Sequence, residues 1–259
     1  MHPILTEVTL FGVTRPIGGY GAAVTLGLLV TAIVLGRAAH RARLDVGATI
    51  ATIGYATMAG FAGAFLLFAV VEALRTGDPL AVRDHGGLVF YGAVPTSLLA
   101  VWLAARSFAL PWLRILDLGV PGLALGHALG RIGCFLGGCC FGAPWDGPWA
   151  ALATHPLAAS AHPSVPRHPV QLYESLGLLA IAAFFTFRRP RIVGDGGRAL
   201  GYLAAYAVLR LGIEQLRDDA VRGLFAGLST STLIALASLA VALFFGHRVR
   251  AARRARSAA

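Results

Sequence analysis

Residues 47–71 run for 25 positions without one charged side chain, and six further stretches of the chain come close to the same composition. A hydrocarbon core about 30 Å thick is crossed by roughly 20 helical residues, and backbone polar groups in that layer must be satisfied internally. Helices are therefore what such runs fold into. The runs lie at 18–36, 47–71, 86–105, 115–131, 170–187, 199–216 and 224–245. They predict an all-α, polytopic membrane protein of about seven spans. Pro95 interrupts the third and Pro121 the fourth, and Gly126, Gly130 and Gly133 dilute the end of the fourth. Kinked or partly re-entrant helices are the expectation there.

Composition agrees: 57% of residues are hydrophobic, 13% are charged, and the mean hydropathy is +0.71. The net charge of +10 comes entirely from arginine, spread between the apolar runs rather than gathered in a patch. Topology explains this better than nucleic-acid binding. Fourteen arginines fall in one set of loops and the tail, and seven in the opposite set, which also holds most of the acids. The richer side is expected to be cytoplasmic. That places the N-terminus outside and the C-terminus inside, as an odd number of spans requires. Residues 1–17 carry Pro3, Glu7 and Pro16 and do not read as a cleavable signal peptide. The expected organisation is one transmembrane domain over 1–246, with an outer-face loop at about 133–169, and a basic cytoplasmic tail at 247–259 beside anionic lipid.

Two regions carry chemistry. In "ALGYLAAYAVLRLGIEQLRDD", Tyr206, Arg210, Glu214 and Arg217 fall within an arc of roughly 80° at about 100° per residue. An arginine inside a span costs roughly 2.5–3.5 kcal/mol and normally faces a bundle interior or a wet cavity. Glu214 is spaced to hold both Arg210 and Arg217, as a site or as a structural staple. Arg131, at the end of the fourth run, is expected at the same outer level, and converging guanidiniums there suit a lipid phosphate. Glycines around Arg131 permit close approach of backbone or lipid. The outer loop, rich in Pro, Gly, Trp and His, suggests a lid with Trp145 and Trp149 at headgroup depth. It re-enters through "RHPVQLYES", where Gln171, Tyr173 and Glu174 line the outer end of the fifth span.

Together these motifs resemble the prolipoprotein diacylglyceryl transferases. The resemblance runs through "GGYGAAVTLG", "GGLVFYGA", "GRIGCFLGGCCFG", "RHPVQLYE" and "YAVLRLGIEQLRDD", over nearly the whole chain. It implies a bacterial inner-membrane enzyme with its active face toward the periplasm. Its reaction would move the diacylglyceryl group of phosphatidylglycerol onto the lipobox cysteine thiol of a preprolipoprotein signal peptide. The partners implied are that lipid, that peptide and the surrounding membrane lipids, with no nucleic acid, no cofactor and no metal. Carried over by residue, Arg131, Arg210, Tyr206, Tyr91 and Glu214 would be catalytic. Tyr20, Arg217, His168, Gln171, Tyr173, Glu174, Gly133 and Gly142 would bind substrate, and Arg167 belongs to the same outer motif.

Departures from the family pattern G-R-x-G-N-F-x-N-x-E-x-x-G are pronounced. Cys134 and Gly137 replace the asparagines, and Cys139 replaces the glutamate, so a carboxylate able to orient Arg131 is lost. Tyr91 stands where the family often has the histidine taken as base, with His85 and His127 as substitutes. A divergent paralogue with another acceptor or no activity is the main alternative. A thiol redox enzyme built on Cys134, Cys139 and Cys140, or an anion transporter, fits less well. C-x4-C-C is not a redox motif, and adjacent cysteines rarely pair, although a bridge from Cys134 to Cys139 or Cys140 is allowed. Three cysteines without a fourth ligand also make a poor zinc site.

Overall fold

The computed structural model describes residues 3–10, 13–78, 80, 87, 89–152, 165–187, 196–217, 224–225 and 228–258. The described residues form seven helices: α1 (Gly19–Arg41), α2 (Val46–Thr76), α3 (Phe90–Ser107), α4 (Trp112–Gly137), α5 (Val170–Phe187), α6 (Gly197–Glu214) and α7 (Thr230–Ala258). Each apolar run is thus helical over most of its length. Among the described residues, four helices are long and apolar enough to cross a membrane: α1, α2, α5 and the Thr230–Val249 part of α7.

Two antiparallel pairs modify the all-α expectation. Strands β1 (Ile4–Leu10) and β2 (Val13–Gly18) pair ahead of α1, and β3 (Leu224–Phe225) and β4 (Leu228–Ser229) pair ahead of α7. The seventh apolar run therefore begins as strand and turns helical only at Thr230. Its opening, "LFAGLS", is a short apolar stretch with a glycine inside it, which an apolar count does not distinguish from helix. The third helix starts at Phe90 rather than at 86, and both α3 and α4 continue as helix through Pro95 and Pro121. His85 and the middle of the outer loop, 153–164, lie outside the described residues.

Contacts group the chain into two compact units, residues 35–115 and residues 1–34 with 116–259. Within the first, α2 and α3 meet backbone to backbone. A Cβ added to Gly92 would lie 2.2 Å from the Gly63 carbonyl oxygen, and Ser97 Oγ donates to the Ala56 carbonyl at 2.8 Å. Asp45 caps α2 by accepting from Ala48 N at 2.7 Å. Tyr91, at the start of α3, belongs to this unit and is partly exposed.

The second unit holds the other polar residues of interest. Here α1 and α4 approach through small residues, as apolar helices do where packing rather than water drives association. A Cβ on Gly27 would sit 2.8 Å from the Gly126 carbonyl oxygen, and Thr31 Oγ1 donates to the Gly122 carbonyl at 2.9 Å. Helix α5 buries Gln171, Glu174, Ser175, Leu178, Ala182 and Phe185, a stripe of three- and four-residue spacing. Ser175 Oγ donates to the Ala128 carbonyl at 3.0 Å, tying α5 to α4. Asp117 of α4, fully buried, accepts from the backbone N–H groups of Gly196, Arg198 and Ala199 at 3.1, 2.9 and 3.0 Å. A carboxylate thus satisfies the orphan donors at the α6 N-terminus and complements its dipole.

Candidate active site

Glu174 is the centre of the polar constellation. Its side chain is 1% exposed, and it receives groups from two other helices. Arg131 Nη2 of α4 lies 2.5 Å from Glu174 Oε2, Arg210 Nη1 of α6 lies 3.5 Å from the same oxygen, and Tyr206 OH donates to Oε1 at 2.8 Å. A carboxylate this buried is tolerated because cations and a hydroxyl take up its lone pairs. The apolar stripe on α5 brings Glu174 inward, and the four-residue step from Tyr206 to Arg210 puts both on one face of α6.

Arg210 is held from a second side. Its Nη2 lies 2.8 Å from Glu214 Oε2, one turn along α6, and donates to Ser231 Oγ at 3.0 Å at the start of α7. Glu214 in turn accepts a short hydrogen bond from Ser229 Oγ, which also accepts from Thr232 N at 3.1 Å. The side chains of Arg210 and Arg131 are 11% and 14% exposed, and Nε and Nη2 of Arg131 are buried. A guanidinium has five N–H donors, and one salt bridge leaves most of the Arg131 fork unspent. Its Nε has no hydrogen-bond partner among the described residues. Two cations held 3.5 Å or closer to one oxygen make a site for an anion with several acceptor oxygens.

The loop after α4 folds onto the same end. Gly142 N donates to the His168 carbonyl at 3.0 Å, His168 N to the Ala143 carbonyl at 3.1 Å, and Ala143 N to the Leu216 carbonyl at 2.8 Å. Arg167 pairs with Ala151 through both backbone groups and donates from Nη1 to the Gly142 carbonyl at 3.1 Å. The Trp145 and His168 rings stack at 4.6 Å, and Tyr173 meets His168 edge-on at 6.1 Å. Gln171 Nε2 donates to the Cys139 carbonyl at 2.5 Å.

A family model described as prolipoprotein diacylglyceryl transferase matches residues 8–247. The chain belongs to that family. A relative from Clostridium tetani, named phosphatidylglycerol–prolipoprotein diacylglyceryl transferase, is 35% identical over 248 residues, covering 94% of this chain and 96% of its own length. One from Gloeobacter violaceus with the same name is 38% identical over 179 residues, covering 65% and 64%. A third, from Clostridium perfringens, is named phosphatidylglycerol–prolipoprotein diacylglyceryl transferase 2 and is 32% identical over 243 residues, covering 91% of each chain.

Against this family's motifs, the structure brings Arg131, Glu174, Tyr206, Arg210 and Glu214 into one network. Other expectations change. Arg217 does not extend the α6 stripe, because the helix ends at Glu214 and residues 215–216 form a turn. Glu214 pairs with Arg210 at 2.8 Å. Gly133 admits a protein backbone rather than lipid: a Cβ there would lie 3.1 Å from Ala23 Cβ and 3.2 Å from the Tyr20 carbonyl oxygen. Gly142 is likewise closed in, 2.5 Å from the Leu216 carbonyl oxygen for an added Cβ. Tyr20 lies in the first turn of α1 and is 48% exposed. His127 bonds through Nδ1 to Tyr202 OH at 3.0 Å and packs its ring against Tyr206 at 4.7 Å.

The loss of a motif glutamate at Cys139 does not strip Arg131 of a carboxylate, since Glu174 supplies one from α5. Sequence reading places Glu174 with the outer motif and assigns nothing to Asp117, Ser229 or Ser231. For the serines the available signal is "STST" at 229–232, four hydroxyls opening an apolar helix beside a span that carries a buried arginine. Asp117, an acid inside the fourth apolar run, is the signal for the α6 cap.

Proposed function

We propose that this chain transfers the diacylglyceryl group of phosphatidylglycerol to the lipobox cysteine thiol of a preprolipoprotein signal peptide. The observation that carries the reading is the pair of guanidiniums, from α4 and α6, converging on Glu174 in a member of this family. The lipid phosphodiester sits at the forks of Arg131 and Arg210. The substrate sulfur, as thiolate, attacks the glyceryl carbon bonded to the phosphate oxygen. A C–S thioether bond forms, the C–O bond breaks, and the electron pair leaves with glycerol phosphate. The thiol proton passes to a base.

Charge grows on the phosphate oxygen as that bond breaks. Donors already held in place meet it without reorganisation, which is where transition-state stabilisation is largest. Glu174 and Glu214 keep both arginines from swinging away, and Tyr206 keeps Glu174 in register. A thiol near pKa ~8.5 is mostly protonated at neutral pH, so proton removal needs help. Tyr91 or His127 is assigned that task, with Tyr20, His168, Tyr173 and Arg217 toward the substrate, while Gln171, fully buried, acts behind them by holding the Cys139 carbonyl. Support for an active enzyme over an inert paralogue comes from Glu174, which gives Arg131 the carboxylate its own motif lacks.

In this reading the chain crosses the bacterial inner membrane seven times as one domain over 1–246, N-terminus out, with the site toward the periplasm among membrane lipids. The 247–259 tail lies in the cytoplasm. Purified protein incubated with labelled phosphatidylglycerol and a lipobox peptide is expected to yield a thioether product by mass. Wild-type rates in both Arg131→Ala and Arg210→Ala would sink the scheme.

A further inference from the structure

The three cysteines of this chain, which the transfer reaction does not use, are brought to one point. The Sγ atoms of Cys134, Cys139 and Cys140 all lie within 4.8 Å of one another. All three are half-buried thiols, with no disulfide among them. Helix α4 carries Cys134 and ends at Gly137, and Gly138 then takes a left-handed turn at φ 74°. Cys139 N returns to the Cys134 carbonyl at 3.1 Å, and Cys140 is itself left-handed at φ 63°. A non-glycine residue adopts that region at a cost, and such outliers gather at functional sites. Gln171, fully buried on α5, clamps the turn through the Cys139 carbonyl.

We propose that Cys134, Cys139 and Cys140 form a three-thiolate site for a monovalent soft metal ion, Cu(I). An ion at the centre of a sulfur triangle with metal–sulfur distances of about 2.3 Å needs sulfurs about 4 Å apart, within the spacing found. Soft thiolates select such ions, and three-coordination suits Cu(I), whereas structural zinc takes four ligands. No fourth histidine, cysteine or carboxylate joins the cluster among the described residues. A disulfide would use two of the three sulfurs and leave the turn with an unexplained third. Arg131, one helical turn before Cys134, lies within electrostatic reach of Cys134 and Cys140 and offsets part of the thiolate charge. Binding displaces the thiol protons to solvent and changes no oxidation state. The site does not depend on the transferase reading.

The test uses the full chain in detergent, reduced under anaerobic conditions, titrated with Cu(I) against a chromophoric Cu(I) chelator. One Cu(I) withheld per chain is expected, with loss of that equivalent in Cys134→Ser, Cys139→Ser and Cys140→Ser variants that melt like the wild type. X-ray absorption on the loaded wild type needs no variant and should show sulfur neighbours alone. The proposal falls if the reduced protein withholds no copper, if folded single variants still withhold it, or if the absorption spectrum shows nitrogen or oxygen ligands. Isolation of the chain with an intramolecular disulfide that survives thiol reductants would also overturn it.

Discussion

Replacing Glu174 by glutamine changes one charge and almost no volume, so it isolates what that carboxylate does. The glutamine side chain retains an oxygen to accept from Tyr206 OH, now 2.8 Å from Glu174 Oε1. Its amide would face the guanidinium of Arg131, now at 2.5 Å, and that of Arg210, now at 3.5 Å. A hydrogen bond to a charged group contributes about 1.5–3 kcal/mol, and breaking a buried ion pair costs about 3–5 kcal/mol. The Arg210 contact is long, and Arg210 keeps Glu214 and Ser231, so most of the loss falls on Arg131. With both arginines less than one-sixth exposed, solvent repairs little. The net expectation is about 2–4 kcal/mol, or a fall of roughly 5–15 °C in melting temperature for a chain of this size. Lipid transfer should fall as well, because the Arg131 fork loses its register. Thermal unfolding in detergent, with the thioether-forming assay run alongside, reads both. Glu174→Asp should restore part of the stability. A double-mutant cycle should show coupling between positions 131 and 174 and none between 131 and 214. If Glu174→Gln melts and turns over like the wild type, Glu174 does not organise the site.

Ser231→Ala removes one of three anchors on Arg210, about 1–2 kcal/mol, and should slow transfer by up to roughly 5–30-fold and lower melting by about 2–8 °C. An unchanged rate would show that α7 does not position Arg210. Asp117→Asn puts an amide before the three backbone N–H groups that open α6 and should cost about 1–2 kcal/mol by thermal unfolding; equal stability would remove the cap from the account. Gly142→Ala forces a methyl into a space 2.5 Å from the Leu216 carbonyl oxygen and 2.7 Å from His168 Cβ. It should destabilise by about 1–3 kcal/mol and expose the outer loop to protease, and an unaffected digestion pattern would count against the packing. The Cys139 thiol is pushed well above the ordinary range, first by hydrogen bonding with Cys134 and Cys140 and then by burial. A raised pKa keeps the thiol protonated at neutral pH, so alkylation of Cys139, followed by peptide mass spectrometry, should be slow. It should still be accelerating above pH ~9.5, a unit past the ordinary thiol pKa of ~8.5, where an ordinary thiol has levelled off.

Much of the site was legible because its parts obey one-helix geometry. Tyr206, Arg210 and Glu214 recur every four residues, and the Arg210–Glu214 pair forms as that spacing requires. Arg217 shows where the rule stops: the 100° step that would put it on the stripe holds only within a helix, and α6 ends at Glu214. Of the glycines near Arg131, Gly126 and Gly133 are points of close approach, whereas a Cβ on Gly130 would meet nothing within 4 Å. What approaches Gly133 and Gly142, however, is backbone and side chain of the same unit.

Sequence alone marked the apolar runs and the helical class of most of their length, though not the strands that open the seventh, because hydrocarbon leaves a backbone few ways to satisfy its polar groups. It also determined that a guanidinium lies inside α6. Only the tertiary structure decided which carboxylate meets which arginine. Pairing across helices depends on how α4, α5 and α6 pack, through contacts such as Ser175 to Ala128, and no spacing within one helix encodes that. The same holds for the cysteines, which are a loose C-x4-C-C in the chain. They become one sulfur cluster because Gly138 and Cys140 turn left-handed and Gln171 holds the turn from another helix.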